Sequence, residues 1–143
     1  SLHDALPISI NYTREDFTTR VEEITDGKGV PVVFDGVGED TYFGSLKCLS
    51  PFGVLVSFGA ASGPPPELAL AVLAKKALYI TRPSLDPHTA TPELTEEISS
   101  PLFEAIRGGI SISINQTFPL KDAANAHRAL QSRRTTGSTI LEI

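Results

Sequence analysis

A single cysteine, Cys48, stands among the 143 residues, and the chain has neither methionine nor tryptophan. One cysteine excludes an internal disulfide and any multi-cysteine metal site. His3, His88 and His127 show no close ligand spacing with Cys48 or with one another, so no zinc is expected. There is no apolar run of about twenty residues to span a bilayer and no secretory signal pattern. A soluble, cytoplasmic protein without a membrane partner is the expectation. Cationic charge is also scarce: 12 Lys and Arg against 17 Asp and Glu leave −5 at pH 7. That balance argues against a nucleic-acid partner and leaves room only for a local cationic site. No nucleophile elbow with a Ser/His/Asp arrangement is present. Tyr42 and Lys47 stand one residue too far apart for a Tyr-x-x-x-Lys pair.

Two apolar strands that end in glycine are what the chain does contain. Val32-Val33-Phe34 runs into Asp35-Gly36-Val37-Gly38, and Val54-Leu55-Val56-Ser57-Phe58-Gly59 runs into Ala60-Ala61-Ser62-Gly63. Unbroken Val, Leu and Phe suit strands buried on both faces of a parallel sheet. Glycine at the carboxyl end of such a strand permits close approach to the backbone, and in open α/β sheets that end is where ligands bind.

In chain order the elements alternate. Ile8 to Tyr12 reads as a short strand, followed by a helix with Phe17, Val21 and Ile24 on one face, a Thr13/Asp16 capping pair before it and an Asp26-Gly27 stop after it. After the Val32–Phe34 strand, a helix over residues 39–49 buries Tyr42, Leu46 and Leu49. Then come the Val54–Phe58 strand, a Pro64-Pro65-Pro66 loop, a short helix over 67–74 and a fourth strand over 77–81. This is the βαβ pattern of an α/β, Rossmann-type, doubly wound sheet.

Beyond residue 82 the grammar changes. Thr91-Pro92 opens a helix striped by Leu94, Ile98, Leu102 and Ile106 up to Gly108-Gly109, with Pro101 predicting a kink or break capped by Ser100. Ile110, Ile112 and Ile114 then alternate with Ser111, Ser113 and Asn115, the pattern of a strand with one wet face. This strand, a helix over 122–132 and a last strand over 138–143 belong together, and a domain boundary is placed near Gly108.

Ile10-Asn11-Tyr12, Asp35-Gly36-Val37-Gly38, Leu55 to Gly59, Leu78-Tyr79-Ile80-Thr81-Arg82-Pro83 and Ser132 to Ser138, in this order, resemble the C-terminal half of NADPH-dependent quinone oxidoreductases. Those are the zeta-crystallin-like, zinc-free branch of the medium-chain dehydrogenase/reductase family. The resemblance runs from about Ser9 to the end. It implies that an N-terminal catalytic domain and the glycine-rich pyrophosphate loop lie upstream. Residues 8–108 would then be a partial dinucleotide-binding domain, and residues 109–143 a return segment to a GroES-like catalytic domain. Residues 1–7, which do not match, read as a foreign, adapter-like segment.

The same resemblance assigns candidate cofactor contacts. Gly36, Val37, Phe58, Gly59 and Ala60 would pass the cofactor at the strand ends, although the glycines equally suit tight strand-to-helix turns. Ala60 replaces an asparagine often found there, which removes one polar contact. Tyr12 would lie near an adenosine 2′-phosphate or else pack as an aromatic strand end. Arg133 would reach the cofactor, while Arg128 and Arg134 suit the dipole of a helix C-terminus. Arg82 would line the cofactor side or simply end a solvated strand. The implied substrate is a quinone or related conjugated carbonyl, the implied cofactor NADPH, and the implied assembly a homodimer through the edge strand over 77–81. No catalytic residue is assigned within this chain. The residues alone also admit a truncated, non-catalytic nucleotide-binding module or a methyltransferase-like Rossmann domain.

Overall fold

A computed structural model describes residues 8–143. The segment over 1–7, with His3, lies outside the described residues. The chain forms two compact units, residues 1–85 and 86–143. They part upstream of Gly108, where the sequence pattern changes from buried to half-wet strands.

The first unit is a three-stranded parallel sheet in the order β1-β2-β3, formed by β1 (Val30–Asp35), β2 (Leu49–Ser57) and β3 (Tyr79–Thr81). Val33 pairs with Leu55 and Asp35 with Ser57 across β1 and β2, and Leu55 pairs with Ile80 across β2 and β3. Helix α1 (Phe17–Ile24) precedes β1, α2 (Tyr42–Cys48) joins β1 to β2, and α3 (Ala71–Ala74) precedes β3. Tyr42, Leu46, Leu49 and Leu55 make the core, with Val33, Leu68, Leu73, Leu78 and Ile80 packed against it. Leu49 and Leu55 are fully buried, each worth roughly 1.5–3 kcal/mol of transfer free energy.

Several expectations are corrected. Residues 8–12 form no strand. Instead Asn11 closes a turn, its side chain accepting from the Thr13 amide at 3.1 Å while its carbonyl accepts from the Arg14 amide at 2.9 Å. The Asn11 carbonyl, which a strand would offer to a neighbour, is spent locally. Thr13 is therefore no helix cap; Asp16 alone is, accepting from the Thr18 amide at 2.9 Å. The Asp26-Gly27 stop is as expected: both residues have positive φ, and the Gly27 amide returns to the Glu22 carbonyl at 2.8 Å.

Strand β2 begins five residues before Val54, because Leu49 already pairs with Val30 and residues 50–53 form an irregular bulge before Val54 meets Val32. The β1 segment is not buried on both faces. Val33 turns to the core, whereas Phe34 on the opposite side is 72% exposed. The cause is position: β1 is an edge strand, and α2 covers only one side of it. The parallel sheet is thus present, and a second covering layer is absent among the described residues of this unit.

In the second unit, after the single turn α4 (Leu85–His88), helix α5 (Pro92–Arg107) starts where predicted, with the Thr91 hydroxyl accepting from the Leu94 amide at 3.3 Å. It does not break at Pro101. Proline removes one amide donor there without ending the helix. Gly109 takes φ +112° and closes the C-terminus, its amide bonded to Ile106 and that of Ile110 to Ala105. That closure absorbs Ile110, so the alternating isoleucines do not form the expected strand. Pairing begins only at β4 (Ile114–Pro119), which runs parallel to β5 (Ser138–Glu142). Between them a short 3-10 turn (Leu120–Asp122) leads into α6 (Ala123–Gln131).

Candidate cofactor-side cleft

The carboxyl ends of β1 and β2 continue as two glycine-rich turns bonded to each other. The Ala61 amide donates to the Gly36 carbonyl at 3.3 Å, and the Ser62 amide and hydroxyl both donate to the Val37 carbonyl, at 2.8 and 2.9 Å. Gly38 and Gly63 form a parallel bridge. The Glu39 amide donates to the Gly63 carbonyl at 3.1 Å, and the Asp40 amide to the Ser62 hydroxyl at 3.0 Å. Gly36, Val37, Phe58, Gly59 and Ala60 are thereby brought together.

The space around these glycines is filled by the chain itself. A Cβ on Gly59 would lie 2.5 Å from the Gly36 carbonyl oxygen, and one on Gly36 would lie 2.9 Å from the Phe58 ring. Turn-on-turn packing therefore accounts for both glycines. Gly38 has in addition φ +91°, a conformation that favours glycine. What the double turn offers to a ligand is its outer side, where the Phe58 ring is 58% exposed.

Beneath the turns lies a residue the sequence reading did not single out as functional. Asp35 is 4% exposed. Its Oδ1 accepts from the Val37 and Gly38 amides at 2.9 and 3.0 Å, both oxygens accept from the Thr41 hydroxyl, and Oδ2 accepts from the Ser45 hydroxyl at 2.7 Å. Burial pushes its pKa up, but the bonds from Gly38, Ser45, Thr41 and Val37 outweigh that and hold it below the ordinary value. Tyr42 feels the same environment, its phenol pushed up by burial and then by the Asp35 charge. The legible signal is Thr41 and Ser45, four residues apart and so on one face of α2, aimed back at the last residue of β1.

At the neighbouring strand end, Arg82 donates from Nη1 to the Ser57 hydroxyl at 3.2 Å and to its carbonyl at 3.5 Å. Ser57 is buried and directly precedes Phe58. Tyr12 lies beside Phe34, Gly36, Val37 and Thr41 in a groove of about 280 Å³ along the β1 edge. Arg133 belongs to the second unit and sits just past α6 with φ +55°. Of the three arginines there, Arg128 donates to Asn125 at 2.7 Å and Arg134 to the Ser132 hydroxyl at 2.9 Å. Arg133 has no side-chain partner among the described residues.

This parallel sheet with its glycine-ended strands is that of the zinc-binding dehydrogenase family, to which the chain belongs; the match runs over residues 7–141. Within that family it is similar to the quinone oxidoreductase of Pseudomonas aeruginosa, 51% identical over 135 residues covering 93% of this chain and 42% of that protein. It is 41% identical to the 2-haloacrylate reductase of a Burkholderia species, over 93% of this chain and 41% of that one. The crystal structure of Escherichia coli quinone oxidoreductase complexed with NADPH superimposes with a TM-score of 0.85 at 46% identity, over 93% of this chain and 42% of that one. The chain thus spans about two fifths of the length of these relatives.

The family's description names zinc. Among the described residues no three His, Cys, Asp or Glu side chains gather where they could hold a metal ion. No helix is long and apolar enough to cross a membrane among the described residues.

Proposed function

We propose that the chain is the C-terminal, cofactor-binding part of an NADPH-dependent oxidoreductase that reduces quinones or related conjugated carbonyls. The observation that supports this most is the outward-facing Phe58 on the double turn at the carboxyl ends of β1 and β2, in a chain 46% identical to a quinone oxidoreductase crystallised with NADPH. Residues 8–108 act as part of a doubly wound dinucleotide-binding domain, and residues 109–143 return to a GroES-like catalytic domain. The bound dihydronicotinamide supplies the hydride. This chain's part is to form one wall of the cofactor cleft.

On this reading Gly36, Val37, Gly59 and Ala60 hold the wall in shape, and the Phe58 ring presents an apolar face to the nicotinamide side. Arg82, tied to Ser57, fixes the strand end that carries Phe58. Tyr12 serves the 2′-phosphate end. Arg133, in the second unit, reaches the cofactor, its guanidinium being suited to phosphate. The parent protein works in the cytoplasm as a homodimer joined through the β3 edge, which has no second neighbour among the described residues.

The 143-residue chain alone is expected to turn nothing over, because catalysis needs the whole cofactor and the acceptor held in register. NADPH oxidation with a quinone acceptor, run beside cofactor fluorescence, tests this. Turnover by the chain alone would overturn the inactive reading. Failure of the chain joined to a quinone oxidoreductase N-terminal half to bind NADPH would overturn the functional one.

A further inference from the structure

A glycine-rich turn at a strand end commonly offers its amides to phosphate. Here most of those amides are committed, those of Gly36 and Ala60 excepted. Val37 and Gly38 both donate to Asp35 Oδ1. Phe58 and Gly59 donate to the Asp35 carbonyl at 2.9 and 3.4 Å, and Ala61, Ser62 and Gly63 donate to carbonyls of the double turn. At the start of α2, Thr41 and Tyr42 both donate to the Gly38 carbonyl, at 3.0 and 2.9 Å.

The local charge acts in the same direction. Asp35 lies beneath the turn, and Glu39 and Asp40 follow it directly. The Glu39 carboxylate occupies the space a side chain on Gly63 would need. The cation close by, Arg82, is engaged with Ser57 at the neighbouring strand end. An incoming phosphate at Val37 and Gly38 would meet carboxylates and spent donors.

We infer that Asp35 is a positioning residue whose carboxylate holds the Val37 and Gly38 amides, making the double turn a wall that excludes anions and receives an uncharged part of the ligand. The clamp stands on the hydrogen bonds alone. That the uncharged part is the dihydronicotinamide and its ribose, rather than the pyrophosphate, rests on the proposed dinucleotide function. A role in packing alone would leave the ligand class open; the clamp closes this turn to phosphate and directs the anionic part of the ligand elsewhere.

Amide-resolved NMR of the 143-residue chain tests the clamp. The Val37 and Gly38 amide signals are expected to titrate together with one acid midpoint, and this shared titration is expected to vanish in Asp35→Asn, whose side chain is isosteric but carries no charge. Millimolar inorganic pyrophosphate is expected to leave both signals unmoved in the unsubstituted chain. Independent midpoints, a shared titration that persists in Asp35→Asn, or a saturable pyrophosphate shift at these amides would each overturn the inference. If Asp35→Asn does not fold, the titration and the pyrophosphate arm of the unsubstituted chain still decide it. Reduced nicotinamide riboside, which is uncharged, probes the functional reading separately. A shift at Phe58 and Val37 supports it, and no shift with an intact clamp counts against dinucleotide binding while leaving the role of Asp35 standing.

Discussion

Asp35 and Ser45, ten residues apart, are joined by a 2.7 Å hydrogen bond between the last carboxylate of β1 and a hydroxyl on the inner face of α2. With Thr41 bonded to the same carboxylate, the bond ties the strand end to the helix that follows. The pH consequence has a definite sign. The folded pKa of Asp35 lies below its ordinary value, so the native state favours the ionised form. The associated stability is fully present above the unfolded-state value and is lost as pH falls through the folded one. Urea midpoints are expected to be flat near neutrality and to fall below about pH 4, and Asp35→Asn should flatten that acid limb. An acid limb unchanged by the substitution would show that other carboxylates set it.

Ser45→Ala removes one donor to a buried charge while leaving Asp35 three partners. A loss of roughly 1.5–3 kcal/mol in unfolding free energy is expected. A loss below about 0.5 kcal/mol, the scale of ordinary surface changes, would mean that water replaces the hydroxyl.

Glycine substitutions should separate the two turns. Gly59→Ala drives a Cβ into the Gly36 backbone, 2.5 Å from its carbonyl oxygen. Overpacking of this kind costs about 1–3 kcal/mol. Gly36→Ala meets instead the exposed Phe58 ring at 2.9 Å, which can swing away. A smaller stability loss is expected there, together with altered near-ultraviolet circular dichroism from the displaced ring. Equal losses at the two positions would contradict this account.

The sequence pattern led to the parallel sheet, because Leu55 on β2 is buried between half-buried Val54 and Val56 and because helix stops such as Asp26-Gly27 act locally. It misled at Ile8–Tyr12 and Ile110–Ile112. A strand exists only when another strand accepts its hydrogen bonds, and among the described residues neither place has one beside it; the Asn11 carbonyl and the Ile110 amide are bonded locally instead. Phe34 shows the same limit. Its apolar run looked doubly buried, but burial depends on which layers are present. Among candidate site residues, the glycines were legible as turn formers. Asp35 was not singled out, because its signal, Thr41 and Ser45 spaced four apart, lies after the strand end rather than at it.

Lys76 offers a test of a long-range cap. Its ammonium donates to the Lys47 carbonyl at 2.9 Å and to the Leu49 carbonyl at 2.6 Å, holding the end of α2 where the chain enters β2. Lys76→Met keeps much of the apolar stem and removes the donors. A loss of roughly 1.5–3 kcal/mol is expected from hydrogen bonds to a charged group. A neutral result would mean that solvent satisfies both carbonyls equally well.

Helices α5 and α6 close in the same way with different residues. After α5, Gly109 takes the left-handed position and the next two returning bonds come from Gly109 and Ile110. After α6, the equivalent position is Arg133 at φ +55°, with its amide bonded to Leu130 at 3.0 Å and that of Arg134 to Ala129 at 3.1 Å. Glycine is the residue this cap prefers, and an L-residue there costs roughly 1–2 kcal/mol. Arg133→Gly is therefore expected to stabilise the cap by up to about 1 kcal/mol, once the greater chain entropy of glycine in the unfolded state offsets part of the gain. In the chain joined to a quinone oxidoreductase N-terminal half, the same change is expected to weaken NADPH binding, as removal of a guanidinium that reaches the cofactor would. Unchanged NADPH binding would remove Arg133 from the cofactor, and a loss of stability would show that its aliphatic stem packs where the cap geometry alone does not require it.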